Sequence, residues 1–361
     1  MTPAGCPLAT AGSRSHEHDT LATAVQFNCD LGDALHAREK SLCTYLLGMR
    51  EYFRWSAGLP LGAAPDRGRL SEWIAQREQQ WDALRDRDVA TYAELPLAGG
   101  IDPFDEASAN RNLQAIGLVY GAGVGLFGAP MFFLAQFESD QLRDGVRVIV
   151  AGAELARGIT AAPAASRNNT ILIRSDALRR WLWTRTETAL RGPRDNAFAL
   201  ALRAYGADAD VEAAVVAMAA GEAETLVLHE MGELRAGHLL GTEWEEMLAE
   251  VDDRRTEVVI RAVRDLLADC LVTLPHLTAR TATRSLLFWQ ANFDGLRRAL
   301  APELAESCRM ESGGLDFDRL ERVVDSSRRV WEQRASELLS GWRKSGAENV
   351  KRATQQLAGS H

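Results

Sequence analysis

A change of hydrophobic period restricts the fold of this chain more than any other feature. Between residues 117 and 174 lie LVYGAGVGLFG, MFFLAQF, VRVIVAG and TILIRS, short runs of β-branched or aromatic residues bounded by Gly, Pro, Asn or Asp. On either side, apolar residues recur instead at spacings of three, four and seven. The first pattern belongs to strands and the second to helices that bury one face. The expected fold class is therefore α+β, mainly α-helical, with a small, mostly antiparallel sheet inserted between helical N- and C-terminal parts.

The segments follow from the same reading. Residues 1–25, with Gly, Pro, Ser and charges but no sustained apolar run of the secretory kind, are expected to be a flexible tail. In the helical N-terminal part, 26–116, one face is marked by Leu31, Leu35, Leu42, Leu46, Met49 and Phe53 and a second by Leu70, Trp73, Ile74, Trp81 and Leu84. After the sheet part, 117–174, Ser175 offers an N-cap, and 175–310 is expected to be helical with breaks near Gly192–Pro193, Gly206, Gly221, Gly241 and Pro275. Residues 315–345 form an amphipathic C-terminal helix striped by Leu320, Val324, Trp331, Leu338 and Trp342, available to the body of the chain or to a second subunit in a homo-oligomer; 346–361 is expected to be a tail.

Residues 112–137 contain no charged side chain and are long enough to cross a bilayer. Gly121, Gly123 and Gly125 alternate at period two, however, and Pro130 separates them from an aromatic run, which favours a β-hairpin and no membrane span. Lys and Arg total 41 against 50 Asp and Glu, a net charge of −9, so no broad positive field is available to gather nucleic acid. Five scattered cysteines without CxxC spacing indicate neither a disulfide framework nor a zinc knuckle, and a cytoplasmic location is expected. GAGVG at 121–125 opens no helix and is followed by no lysine, and there is no GxSxG elbow, so nucleotide-loop and serine-hydrolase readings have no starting point.

The chemistry concentrates in LVLHEMGELRAGHLLG, residues 226–241, where His229, Glu230 and Glu233 interrupt an apolar run. Burying charge costs several kcal/mol unless a partner, a proton or a metal compensates it. On a helix His229 and Glu233 share a face, the arrangement of an HExxH zinc helix with Glu233 in place of the second histidine. Glu230 would then act as general base on a metal-bound water. The carboxylate makes the site harder, so the ion is expected to be zinc, iron or manganese. A buried ion pair or hydrogen-bond network is the competing explanation.

Further ligands are sought in RAVRDLLADCLVTLP, residues 261–275, and NCDLGDALHAREK, residues 28–40. Asp269 flanks the apolar stripe of the first and is the better ligand, whereas Asp265 reads as a solvated position. In the second, Asp30 and Asp33 suit a helix cap and first turn, and His36 borders the apolar stripe as a further metal candidate, competing with a structural, hydrogen-bonded role.

The segments FNCDLGDALHAREKSLCTYLLGMREYFRW, LVLHEMGE and RAVRDLLADCLVTLP together resemble an uncharacterised bacterial protein family to which no activity attaches. Locally, a strand such as TILIRS followed by helices and an HE-bearing helix is similar to zincin-type metallopeptidases, which implies His229 as ligand and Glu230 as base; Glu233 departs from that pattern. LVLHEMGEL also loosely resembles HD phosphohydrolases, without their histidine spacing. The expected function is a metal-dependent hydrolase of a small-molecule or peptide substrate. The alternatives are a carboxylate-rich non-haem iron or manganese enzyme, and a non-enzymatic helical scaffold or partner-binding protein.

Overall fold

The computed structural model describes residues 11–86, 91–125, 128–192, 196–293, 295–309 and 314–359, with side chains from His18 onward. The protein is mainly helical with a five-stranded mixed sheet between its helical N- and C-terminal parts, the α+β class that the change of period predicts. The chain divides into two compact units, one of residues 1–139 and 150–162, the other of 140–149 and 163–361.

In the first unit, helix α1 (Ala11–His36) starts well before the position the sequence suggests. Leu21, Val25 and Cys29, one turn apart, carry the buried face back into the expected tail of 1–25, which is therefore helical from Ala11; residues 1–10 lie outside the described ones. The single stripe from Leu31 to Phe53 is carried on two helices. A 3₁₀ turn at Ala37–Glu39 ends α1, and Ser41 opens α2 (Leu42–Ser56) by accepting the Thr44 N–H at 3.3 Å. The break splits the apolar stripe: Leu31, Met49 and Phe53 are buried, whereas Leu35, Leu42 and Leu46 are exposed. Helix α3 (Arg67–Arg85), capped by Asp66, brings Trp81 and Leu84 into a core with Leu31, Ala34, Met49 and Tyr52. Helix α4 (Glu106–Leu113) is capped by Asp105.

Asp30 and Asp33 sit in the body of α1 and cap nothing. Arg77 reaches both oxygens of Asp30 at 3.0 Å, and Asp33 accepts the Ile159 N–H at 2.8 Å.

The strands are β1 (Leu118–Val124), β2 (Pro130–Arg143), β3 (Val146–Arg157), β4 (Ala164–Arg167) and β5 (Thr170–Arg174), in sheet order β1-β2-β3-β5-β4. β1 runs antiparallel to β2 from Leu118↔Gln136 to Val124↔Pro130, and β4 antiparallel to β5. Gly121 faces Phe133, whose ring would lie 2.0 Å from any Cβ there; glycine at this position makes room for the aromatic ring. The glycine-rich run is thus the first strand of a hairpin, and no helix among the described residues is long and apolar enough to cross a membrane.

The second unit contains α5 (Ser175–Ala189), α6 (Ala197–Ala204), α7 (Val211–Leu240), α8 (Thr242–Glu250), α9 (Arg254–Ala268), α10 (Leu274–Ala279), α11 (Thr283–Asn292), α12 (Gly295–Leu300), α13 (Pro302–Ser307), α14 (Phe317–Ser345) and α15 (Ala347–Gly359). Gly221 does not break α7; it lies where a Cβ would meet the Tyr205 hydroxyl at 2.8 Å. The expected tail from 346 is helix α15 through Gly359, anchored by buried Val350 and Thr354. Leu320, Val324, Trp331 and Leu338 of α14 pack into this unit's own core with Leu266, Leu274, Leu286 and Trp289, so the amphipathic stripe is used within the chain.

Two backbone features prepare the site. Gly232 lets α7 touch α9, because a Cβ there would lie 2.5 Å from the Ala268 carbonyl oxygen. Between α9 and α10 a π-helical turn spans Asp269–Thr273, in which the Leu274 N–H donates to the Asp269 carbonyl. Pro275, without an N–H, cannot sustain the ordinary ladder just beyond this turn.

Candidate functional site

His229 lies on α7, and Asp269 opens the π-turn opposite it. The imidazole Nδ1 is 2.8 Å from Asp269 Oδ1, and Nε2 is 3.3 Å from Glu233 Oε1, one helical turn along. Asp269 is wholly buried; its second oxygen accepts the Trp289 indole N–H at 2.9 Å and lies 3.7 Å from the Arg297 guanidinium. The second oxygen of Glu233 accepts from Arg264 at 2.9 Å, and Arg264 also reaches Glu245 at 3.2 Å. About a fifth of the His229 and Glu233 side chains remains exposed, so the centre has a buried end at Asp269 and an open end at Glu233.

The charges follow from these contacts. Burial opposes a proton on His229, but the Asp269 and Glu233 carboxylates outweigh it and hold the imidazolium well above the ordinary histidine range. Burial likewise opposes the Asp269 anion, yet His229, Arg297 and Trp289 together keep its carboxyl below the usual range. Glu233 is also lowered, by His229 and Arg264 against burial. Two neighbouring acids go the other way. Burial, then the charge of Glu233, pushes Glu230 up to about 7, with His229 and a hydrogen bond to Ser166 on β4 pulling against them. The same two causes push Asp265 up to about 6.

The structure thus gathers His229, Glu230, Glu233 and Asp269 in one place. It also brings Asp265 there, half-buried instead of solvated, because Gly232 draws α9 against α7. His36 belongs to the first unit, where its Nδ1 is 3.7 Å from Glu39. Among the described residues no group of three or more His, Cys, Asp or Glu side chains is placed to hold a metal ion. His229 Nε2 and Glu233 Oε1 form a two-donor pair, while Asp269 lies on the other ring nitrogen, where a carboxylate fixes the tautomer and the orientation of the imidazole. No spacing rule links Arg264, Trp289, Arg297 and Ser166 to the HExxE turn, so the sequence does not point to them.

Fold and site together define a mainly helical α+β protein with a buried histidine–carboxylate centre in its second unit. Residues 20–174 match the N-terminal domain, and residues 179–360 the C-terminal domain, of a family of unknown function, DUF6866. The chain belongs to that family. No curated protein and no solved structure matches it.

Proposed function

We propose that the α7 centre is a hydrolytic site in which Glu230 is the general base and His229 and Glu233 take up a divalent cation: zinc, iron or manganese. The observation that carries this reading is the surplus of acid at one spot, where Glu230 and Asp265 retain protons to about 7 and 6 beside Glu233. Such a cluster is relieved either by protons or by a cation. With Nδ1 engaged by Asp269, Nε2 is the ring nitrogen that faces Glu233, and it must release its proton for an ion to bind. Two donors are fewer than the three protein ligands usual for catalytic zinc, and Asp265, one turn before Asp269, is the acid best placed by sequence and charge to supply a third. A group retaining its proton to about 7 is suited to accept one from water at neutral pH. The bound cation would polarise that water for attack on the carbonyl or phosphorus centre of a small-molecule or peptide substrate. A cytoplasmic setting belongs to the same proposal and agrees with Cys29, Cys43, Cys270 and Cys308 being thiols and not disulfides.

A second reading is favoured by a specific observation: both ring nitrogens and both acids that flank them already have partners. The centre would then be a closed polar network in a non-enzymatic scaffold. Elemental mass spectrometry of untagged protein, before and after incubation with each of the three metals, separates the two. Near-stoichiometric metal that is lost in His229→Ala and Glu233→Ala but kept in Glu230→Gln is the expected result. No uptake of any of the three would refute the hydrolase and leave the network.

A further inference from the structure

We propose that a cavity in the first unit binds a small organic anion with a compact apolar body, a carboxylate or a phosphate monoester. The inference is independent of the α7 centre. The cavity holds about 330 Å³, the lower end of the range of small-molecule sites, and lies among the end of α1, the start of α2 and the second half of α3.

Its lining explains the choice of ligand. Arg38, Lys40 and Arg85 bring three positive charges to the cavity. One oxygen of Asp82 serves both guanidinium groups, at 2.9 Å from Arg38 and 2.5 Å from Arg85, so a single carboxylate is shared between two cations while Lys40 adds a third. Glu78, also in the lining, accepts the Tyr45 hydroxyl at 2.8 Å. With Asp82 and Glu78 set against the three cations, an incoming anion finds a surplus of one positive charge while Asp33 holds its proton, the setting in which carboxylates and phosphates bind by charge-assisted hydrogen bonds. The apolar part of the ligand has its counterpart in Trp81 and Leu42, with Ala34 and Ala37 leaving the space. Asp33 completes the lining. Burial pushes its carboxyl up to about 7, so near neutrality it does not oppose an anion as an ordinary aspartate would.

The test is calorimetric titration of the full chain, at constant ionic strength and pH 6.5, with phenyl phosphate, benzoate and, as a cation of similar size, tyramine. At least one of the two anions should bind saturably at one per chain, and which of them does so separates phosphate from carboxylate. Lys40→Gln should weaken it about tenfold, the loss of one charge-assisted contact. Asp82→Asn should tighten it, because two guanidinium groups lose their shared counter-charge. Arg38 is largely exposed and the Asp82 side chain about half so, and the fold does not depend on that pair. The opposite signs of the two effects distinguish a binding role from a structural one. The proposal is overturned if neither anion saturates, if tyramine binds as tightly, or if Lys40→Gln leaves the affinity unchanged.

Discussion

Glu230→Gln isolates the contribution of one buried acid. In the folded chain Glu230 holds its proton to about 7, against an ordinary value of 4.5. Between those values the folded state binds the proton and the unfolded state does not, so stability falls as pH rises through this window. The contribution is present below about pH 4.5 and gone above about pH 7. Integrated from pH 5 to pH 8, this single group removes about 2 to 3 kcal/mol, and because the side chain is 8% exposed little of that is screened by solvent. Glutamine keeps the shape and a hydrogen-bonding oxygen without the titration. Urea unfolding of both proteins at pH 5 and pH 8, in chelator-treated buffer, should show the variant losing about 2 to 3 kcal/mol less than the parent over that interval. Stability differences that match at the two pH values to within about 1 kcal/mol would refute the burial argument, and with it the reason for assigning Glu230 a proton-handling role.

Two further changes examine the supports of the centre. Gly232→Ala places a methyl 2.5 Å from the Ala268 carbonyl and should cost about 1 to 3 kcal/mol of stability as α7 and α9 move apart, read by urea unfolding; an unchanged midpoint would show that the close approach is not needed. Asp269→Asn removes the larger of the two counter-charges on His229 while burial remains, so the imidazole should titrate lower by ¹⁵N NMR of the ring, and an unmoved titration would mean that Glu233 alone holds the proton.

The sequence discloses much of this architecture because period is local. The switch at 117 and back at 175 locates the sheet, the four-residue step places His229 and Glu233 on one face, and the alternation of Gly121 and Gly123 marks a strand in an uncharged run. What it conceals depends on partners distant in the chain. Asp265 reads as solvated until Gly232 is seen to bring α9 against α7. Asp30 looks like a cap until α1 proves to begin at Ala11 and Arg77 is found beside it. The ends of the chain mislead for another reason: Leu21 with Val25, and Val350 with Thr354, keep the four-residue step, but so short a stripe among small and polar residues does not announce a helix, yet all four are buried. Arg264, Arg297 and Trp289, which set the charge state of the centre, lie on three separate helices and share no motif with it.

The π-turn at Asp269–Thr273 makes chain length itself part of the site. Such a turn spends one residue more than an α-helical turn, so deleting any one of its five residues would leave a continuous, well-bonded helix. Because the extra residue is taken up within the turn itself, the segments on either side would keep close to their present phase, whereas the same deletion in an ordinary α-helical stretch would rotate one side by about 100° relative to the other. A gap at this place in a family member would therefore mark the loss of the wide turn that opens at Asp269, with α9 and α10 still facing the core as they do here.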